Sequence, residues 1–534
     1  MRINRHFFDF FLIFLIGIVF VLPIILVPNL KPYPISDYDS NLPVYDFLVD
    51  FVNTHRRFPS WNPYVGTGIP VIADPLSAVL NPLFTIPILV FDVDLGIKIV
   101  FFFVFLASGL SMWWFLGSLN IEKNIRLLGA LLYQVSGALV AQIASGHIEK
   151  FLSYPLIPLF LLFALKERMR FIECLAEGLI FTLIVFSGDF YNFYFLSIFF
   201  ILIRLYYFLT VKKVFIFKEI FLTFVIFSLI SSIKMVPFLF RLYPNLERFF
   251  PIDPFTGSIH IIFGILPFIT PFQAEFYDRP FFQRVLGFHF NWHEYYTFIS
   301  PLPFIFLVKF KQIFKNEKAR ILLIIFVVGL LYAALKYPYS PFYWLFHLVP
   351  FVRNFRVPQR IFMPLTAVVI SILLICGDHW LKNAKKKWVK ALVLGILILS
   401  IIWSFYLSRQ TLIRTFMPVN KENQLLIAAL REKDGSNFYV VVFYPGLQRF
   451  LIEEKIPILN YYYGWRPKKA PNFLSEDGES YNYPLLETVR PKYAITKASQ
   501  DLSLYSYVPF MRNNQVAIWK TDKITIIPQL KYEL

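Results

Sequence analysis

The chain has 534 residues, of which 57% are hydrophobic and 16% charged, and its formal net charge is +18. A soluble domain is roughly 45–50% apolar and about 25% charged, so this composition excludes an ordinary water-soluble fold and indicates a polytopic membrane protein. The 2 cysteines exclude a disulfide framework and a cysteine metal cluster.

Eleven apolar runs are predicted to span the membrane as helices. The first follows two arginines and is longer than the apolar region of a cleaved signal peptide, so it is predicted to stay in the protein. Two runs, 152–165 and 298–310, are short and begin with proline-containing sequence, which fits helices that start inside a protein-lined cavity. The predicted spans are 7–29, 99–119, 127–145, 152–165, 172–188, 193–210, 219–240, 298–310, 321–337, 361–381 and 389–407.

The basic residues of the loops predict the orientation. The six short segments on one side carry 20 Lys or Arg in 48 residues, whereas the three short loops on the other side carry 4 in 38. The positive-inside rule then places the N-terminus in the cytoplasm of a protein of the cell (plasma) membrane. The basic excess is explained without nucleic acid as a partner.

Three long segments are predicted on the outer face: a first loop (30–98), a second loop (241–297) and the tail. In the tail, ENQLLIAALREKDG predicts a helix that ends at a glycine, and NFYVVVFYP predicts a buried strand. PLLETVRPKYAIT predicts a helix followed by a strand, and QVAIWKTDKITIIPQL a terminal hairpin. The predicted domains are a transmembrane domain, 1–408, and a small extracytoplasmic α/β domain, 409–534.

An acidic pair follows the first span. Asp37 and Asp39 can aim at one point from an extended turn, where they would hold a divalent cation or supply a base and its charge partner. Such pairs also cap helices or lie on solvated loops. The same loop continues with Trp61 and Asn62 in a turn-rich segment, and then with an apolar stretch, 79–91, too short to span. This part fits an interfacial helix, a wall of the active site, or both.

Other polar groups lie at the predicted outer ends of spans, and Lys234 lies inside one. Ionisable groups in or beside spans are costly and are therefore candidates for function, although each can also be a snorkelling or paired side chain. The sequence contains no zinc signature, phosphate-binding glycine loop or Ser–His–Asp pattern. The further candidates for the cavity are His147, Glu149, Asp189, His293 and Glu294.

The last outer loop contains a cluster of arginines between aromatic residues. Arg353, Arg356 and Arg360 precede a late span, in a loop without acidic residues. The guanidinium group binds phosphate oxygens while neighbouring rings face a lipid chain, so the cluster predicts a site for a lipid-linked phosphate. The alternative is anchoring at the lipid headgroups.

Taken in order, these motifs resemble those of the YfhO-like branch of the GT-C glycosyltransferases. The segments that carry the resemblance are SDYDS, SWNPYVGTGIPVIADPLSAVLNP, SGHIEK, HEYYTFISPLP and PFVRNFRVPQR, within residues 1–385. The resemblance implies a GT-C-like membrane enzyme that moves a sugar, with inversion, from a polyprenyl-phosphate donor to an extracytoplasmic lipid, polysaccharide or protein acceptor.

The resemblance also implies roles for the candidates. Asp37 would be the general base or a metal-linked carboxylate with Asp39 assisting, and a divalent cation, Mg or Mn, is the one cofactor considered. Arg356 and Arg360 would bind the donor phosphate, joined by Arg353 and Lys234. Two other classes remain open: a flippase for lipid-linked saccharides and a non-catalytic envelope scaffold. A flippase explains less readily the long first loop with its acidic pair, and the tail.

Overall fold

The structure is a computed structural model. It describes residues 5–27, 30–32, 37–65, 68–211, 215–243, 246–248, 261–271, 292–334, 357–418, 421–435, 439–442, 447–459, 465–467, 486 and 491–523. Two of the predicted phosphate-binding residues, Arg353 and Arg356, lie outside the described residues, as does most of the helix predicted within PLLETVRPKYAIT.

Helices make up most of the described chain, as the composition predicts. The α-helices are α1 Arg5–Ile25, α2 Tyr38–His55, α3 Pro82–Ser118, α4 Lys123–Gln134, α5 Gly137–Ser145, α6 Ile148–Ser153, α7 Leu156–Ala164, α8 Phe171–Phe186, α9 Phe190–Val211, α10 Phe215–Pro237, α11 Leu266–Ile269, α12 Glu317–Ala333, α13 Phe362–Asn383, α14 Lys387–Arg414, α15 Lys421–Asp434 and α16 Gln448–Glu453. A π-helical turn follows α10 at Phe238–Leu242, and 3₁₀ turns lie at Ile261–Phe263, Trp292–Glu294, Leu302–Lys315, Pro358–Ile361 and Ser503–Tyr505.

The strands are short. They are β1 Leu30–Pro32, β2 Trp61–Asn62, β3 Ile69–Pro70, β4 Leu246–Arg248, β5 Phe416–Pro418, β6 Val440–Val442, β7 Trp465–Pro467, β8 Tyr493–Lys497, β9 Val508–Arg512 and β10 Val516–Lys520. The largest sheet has the order β6-β8-β10-β9, with β6 and β8 parallel and the other pairs antiparallel. The remaining strands form antiparallel pairs, β1 with β5, β2 with β3 and β4 with β7.

Six helical segments of the described chain are long and apolar enough to cross a membrane. They are Phe7–Ile25, Lys123–Ser145, Phe190–Val211, Phe215–Phe240, Pro358–Asn383 and Lys387–Arg414. Other predicted spans correspond to shorter helices, among them α7 with 9 residues and α8 with 16. The chain is thus a helical polytopic membrane protein, and the number of eleven spans stays a prediction.

Two predicted spans differ from the helices observed. The run 298–310 contains no α-helix: it is irregular through Ser300, whose φ is +81°, and then continues as the 3₁₀ stretch Leu302–Lys315, which has non-helical dihedrals at Lys309. The run 127–145 breaks between α4 and α5, where the N–H of Gly137 bonds to the carbonyl of Phe298 at 2.9 Å. Both departures produce irregular backbone inside an apolar region.

The apolar stretch predicted at 79–91 does not end as a separate element. It forms the first part of α3, which has non-helical dihedrals at Asp92 (φ 65°, ψ 177°). A Cβ on Gly96 would lie 2.6 Å from the Cα of Ile88, so the two parts of α3 fold closely against each other at this break. The stretch before Asp92 is therefore a helical segment that runs in a different direction from the rest of α3. This agrees with the expectation that the stretch is too short to span the membrane.

Contacts divide the chain into two compact units. The first consists of Met1–Leu26, Lys98–Ser231 and Ile252–Thr415, and the second of Val27–Ile97, Ser232–Pro251 and Phe416–Leu534. The predicted domain boundary near residue 409 falls close to the last junction of these units. The first long loop, however, belongs with the C-terminal domain, which the sequence did not indicate.

The C-terminal domain has the predicted α/β character. Helix α15 ends at Gly435, whose φ of +71° is the left-handed conformation that glycine adopts without a steric cost. Strand β6 is the predicted buried strand and β8 the strand predicted after it. The hairpin predicted within QVAIWKTDKITIIPQL is not tested, because its second half, after residue 523, lies outside the described residues; the described strand β10 pairs with β9, the segment before it.

Candidate active site

Four segments of the first unit bring polar side chains together. Helix α5 ends at Gly146 (φ +85°), and His147 follows as the N-cap of the short helix α6. The turn Trp292–Glu294 supplies Glu294, and the turn Pro358–Ile361 supplies Arg360. Asp189 precedes α9. All are segments where helices end or begin, so the fold collects charged groups at helix ends rather than on helix faces.

Glu294 is the centre of the charge network. Its carboxylate accepts hydrogen bonds from Nε of Arg360 at 3.0 and 3.1 Å and from Nη2 at 2.6 Å. Nζ of Lys150 donates to the second oxygen at 3.3 Å. The side chains of Glu294 and Lys150 are 1% and 3% exposed, and that of Arg360 is 17% exposed. A buried carboxylate with two cationic donors is well compensated, and only the arginine reaches toward solvent.

The histidines flank this network. Nδ1 of His147 lies 2.8 Å from Oε1 of Gln142, while Nε2 of Gln142 donates to the carbonyl of His293 at 3.0 Å. Nζ of Lys150 lies 2.9 Å from the same Nδ1, so this ring nitrogen faces both the glutamine oxygen and the lysine ammonium group. The rings of His147 and His293 meet edge to face with centroids 4.9 Å apart. Gln142 and Lys150 thus hold the ring of His147 in its orientation.

Arg360 also packs against an aromatic ring. Its guanidinium carbon lies 4.4 Å from the centre of the Tyr191 ring, so the group is held between an aromatic face and Glu294. Among the described residues, Nη1 of Arg360 has no hydrogen-bond acceptor. An arginine that is fixed in orientation and still has N–H groups available is suited to bind an anionic oxygen.

A second acidic group adjoins the first. Ser153 donates to Asp189 at 2.5 Å, and Asn192 donates to it through its backbone N–H at 3.0 Å and through its side chain at 2.6 Å. Glu149, on α6, lies within electrostatic reach of His147, Lys150, Asp189 and Arg360. The described groups therefore include three carboxyl groups and two basic side chains.

Burial and neighbouring charges shift the pKa values of these groups in different directions. Burial opposes ionisation of Glu294, but the attraction of Arg360 and then of Lys150 outweighs it and holds the pKa of Glu294 well below its usual range. Burial raises the pKa of Glu149 and of Asp189. Burial, with repulsion from Arg360, lowers the pKa of Lys150 to about 8. Glu294 is thus the permanent anion of the site, whereas Glu149 is the carboxyl group more readily protonated.

Three side chains here are of the kind that bind metal ions. Ligand atoms of His147, His293 and Glu294 lie within 4.8 Å of one another. Nitrogen-rich sets of this kind suit zinc rather than Mg or Mn, which prefer oxygen. The carboxylate, however, already contacts Arg360 and Lys150, and a divalent ion would add two positive charges beside them. The set therefore does not fit a resident divalent cation, and no chemical step is assigned to one here.

The predicted acidic pair lies in the second unit. Asp37 occupies the N-cap position of α2 with helical dihedrals (φ −60°, ψ −11°), and its carbonyl accepts the N–H of Asn41 at 2.9 Å. Asp39 lies in the first turn and is 8% exposed. The extended turn expected from the sequence is therefore wrong: the backbone is already helical, since an acidic residue is favourable at a helix start. Residues two apart on a helix do not face each other, so the pair does not present one chelating edge.

The remaining predicted candidates of the second unit have structural contacts. Trp61 and Asn62 form β2, and the carboxamide oxygen of Asn62 accepts the N–H of Tyr64 at 2.9 Å. Lys234 is fully buried and its Nζ donates to the carbonyl of Ser77 at 2.6 Å. The chain beyond Trp61 is thus anchored at both ends of its turn-rich segment.

The structure brings one group of predicted residues together within the first unit: His147, Glu149, Asp189, His293, Glu294 and Arg360. The motif SGHIEK also predicted that Lys150 faces this cavity, whereas sequence reasoning missed Gln142, Ser153 and Tyr191. Gln142 had a usable signal, because a glutamine inside an apolar helical run must find a partner. Tyr191 had none, since tyrosine is common near the ends of membrane helices.

Comparison with known proteins supports the fold. No known protein family matches the sequence, and no curated protein does. Among solved structures, the arabinofuranosyltransferase AftD from Mycobacteria matches with a TM-score of 0.59 and 10% identity, over 98% of this chain and 40% of that chain. Apo ArnT from Cupriavidus metallidurans matches with a TM-score of 0.52 and 10% identity, over 95% of this chain and 97% of that chain.

A third similar structure is the Archaeoglobus fulgidus oligosaccharyltransferase tethered to an acceptor peptide, with a TM-score of 0.54 and 11% identity over 98% of this chain and 75% of that chain. This chain spans 40% of the length of AftD and nearly the whole of ArnT. The fold of this chain is therefore similar to the folds of these three proteins. At these identities the likeness concerns the fold alone.

Proposed function

We propose that the protein is a GT-C glycosyltransferase that moves a sugar from a polyprenyl-phosphate-linked donor to an acceptor on the extracytoplasmic side. The observation that carries the proposal is Arg360, held by Glu294 and Tyr191 with Nη1 directed to no other acceptor in the described chain. Such an arginine meets the main electrostatic need of the reaction, the stabilisation of the departing phosphate.

The donor class follows from the chemistry of that group. A polyprenyl phosphate leaves readily once its negative charge is neutralised, and a fixed guanidinium can do this without a nucleotide-binding domain. ArnT, a similar structure, has been solved bound to undecaprenyl phosphate. By analogy, the phosphate of the donor would lie against Nη1 of Arg360. Lys150, which shares Glu294 with Arg360, would add to the positive charge of the site.

The acceptor side requires a base. A carboxylate that accepts the proton of the attacking hydroxyl or amide contributes typically 10²–10⁴ in rate. Asp37 at the start of α2 is the proposed base and Asp39 its assistant, on the strength of the resemblance in sequence. Displacement would proceed with inversion at the sugar carbon.

Transfer of radiolabelled sugar by the purified full-length protein tests the proposal. A panel of polyprenyl-phosphate sugars is supplied with cell-envelope acceptors in nanodiscs, and labelled product is measured. Transfer with at least one donor is expected. A flippase would instead move labelled lipid across the bilayer of a vesicle, and a scaffold would do neither, so either result would contradict the proposal.

Two variants assign the roles. Arg360→Met is expected to weaken binding of undecaprenyl phosphate at least tenfold, because the phosphate loses a charged donor, whereas Asp37→Asn should leave binding intact and lower transfer at least 100-fold. Arg168→Met is the matched control, since Arg168 is an exposed arginine of the same unit. Full transfer by Asp37→Asn would refute the proposed base.

Dependence on a metal is tested separately. If Asp37 and Asp39 act with Mg or Mn, dialysis against a chelator should abolish transfer, and either ion should restore it. Transfer that persists after dialysis would leave the carboxylates as a base and its partner, without a cation.

A further inference from the structure

The first turn of helix α2, which carries the acidic pair, depends on contacts with residues outside the helix. Asp37 and Asp39 occupy its start, and Pro43 lies inside it. Proline has no N–H, so the carbonyl of Asp39 loses the helical hydrogen bond that residue 43 would otherwise give. A helix weakened next to its first turn keeps its position through side-chain packing and not through its own hydrogen bonds.

Arg449 supplies such support from the C-terminal domain. It lies on α16, and its Nε and Nη2 donate to the two carboxylate oxygens of Asp46 at 2.8 and 3.1 Å. Its Nη1 lies 2.8 Å from the carboxylate of Asp94, in α3 just after the break at Asp92. The side chain of Arg449 is 11% exposed. One arginine therefore holds both α2 and α3.

Without Arg449, the negative charges that surround it would have no positive charge between them. Burial raises the pKa of Asp46 to about 6, outweighing the attraction of Arg449, and the like charges of Glu453 and Asp94 add to the effect. Removal of the guanidinium would leave these three carboxylates facing one another. Helix α2 would then have to move, or its Asp46 would have to take a proton.

The apolar contacts make α2 part of the same domain. Val44 of α2 belongs to one buried cluster with residues of α15, α16 and the large sheet, among them Ile427, Leu451 and Ile495. The N–H of Ile458 also donates to the carbonyl of Tyr64 at 3.0 Å. The helix that starts at the acidic pair is therefore built onto the core of the C-terminal domain.

We propose that Arg449 is a positioning residue: its contacts to Asp46 and Asp94 let the C-terminal domain set the place of the helix that begins with Asp37 and Asp39. The C-terminal domain is then required to position the residues that act on the acceptor. The consequence for sugar transfer rests on the proposed function, whereas the consequence for α2 does not.

Hydrogen exchange in the full-length protein tests the contact directly. In Arg449→Met, amides of 39–47 are expected to exchange at least tenfold faster, because the ion pairs that hold α2 are gone, while those of 493–497 keep their rates. Arg449→Lys should restore part of the protection, since it keeps the charge but loses the two-pronged contact. Unchanged exchange in 39–47, or an equal acceleration in 493–497, would overturn the proposal.

Kinetics give the second readout. Arg449→Met should lower kcat for transfer at least tenfold and leave KM for the lipid donor within twofold. Arg431→Met is the matched control, because Arg431 pairs with Glu454 at 2.7 Å inside the C-terminal domain and forms no hydrogen bond or ion pair with a described residue of α2 or α3. A raised donor KM with unchanged kcat would overturn the positioning role. A wild-type protein without transferase activity would refute the proposed function alone, and hydrogen exchange would still decide the role of Arg449.

Discussion

Glu294 determines the electrostatics of the candidate site. It is the shared partner of Arg360 and Lys150, and its own side chain is 1% exposed. Such a pair contributes less to stability than its short distances indicate, because both charges lose their hydration, but removal of one partner leaves an uncompensated charge. The value of Glu294 therefore lies in holding two cations at defined positions.

At the residue scale, Glu294→Gln is expected to destabilise the protein by about 3–5 kcal/mol, because Arg360 and Lys150 remain buried beside a neutral amide. Thermal unfolding in detergent measures this as a lower midpoint.

Lys382→Met is the matched control: Lys382 pairs with Asp378 at 2.6 Å, but its side chain is 53% exposed. An exposed pair is worth about 0–1 kcal/mol, so the control midpoint should barely change. Equal effects of the two variants would contradict the described network.

At the element scale, the break in α3 decides the direction of two helical segments. Asp92 has a left-handed φ of 65°, and its side chain accepts the N–H of Leu95 at 3.0 Å, which caps the second segment. Gly96 then lets the segments approach, since the atoms nearest its missing Cβ are backbone atoms of Ile88 and Pro87. The close approach therefore depends on a glycine at this position.

Gly96→Ala is accordingly expected to destabilise the protein by about 1–3 kcal/mol, because the backbone atoms it would meet cannot rotate away. Gly395→Ala is the control: this glycine also lies in a helix, and no described heavy atom lies within 4 Å of its missing Cβ. There alanine should be neutral or stabilising by up to about 1 kcal/mol. Unfolding midpoints compare the two, and an equal response would contradict the close packing at Gly96.

At the scale of the whole molecule, the charges of the loops predict which side of the membrane each loop and the C-terminal tail face. The cytoplasmic side is predicted for the Lys-rich segment 382–390, and the opposite side for the C-terminal domain. Both native cysteines, Cys174 and Cys376, are buried, so an introduced cysteine can be labelled selectively.

Glu432→Cys, on exposed α15, is expected to react with a membrane-impermeant thiol reagent in intact cells, whereas Lys385→Cys should react only after permeabilisation. The physical reason is that short loops rich in Lys and Arg stay in the cytoplasm. The reverse pattern would invert the predicted orientation and with it the proposed side of sugar transfer.

Several elements could be predicted from local sequence. The helices α9, α10, α13 and α14 follow from runs of apolar residues, and α15 follows from its helical period and its final glycine. Glu294 was predicted to be functional because charged groups beside spans are costly, and Arg360 because a cluster of arginines between aromatic residues suits a lipid-linked phosphate. Part of the 3₁₀ stretch Leu302–Lys315 was predicted as a span because hydropathy counts apolar residues and does not distinguish one type of helix from another.

The sequence by itself determined the class of protein, because a chain with 57% hydrophobic residues needs the apolar interior of a membrane around it. It also determined which charged residues would need partners. Only the tertiary structure decided which residues are those partners. Arg360 meets Glu294 across 66 residues and Arg449 meets Asp46 across 403, and no local pattern encodes such pairs. The grouping of the first long loop with the C-terminal domain has the same cause: Val44 and Ile495 share a core because long-range packing, and not neighbouring sequence, buries them.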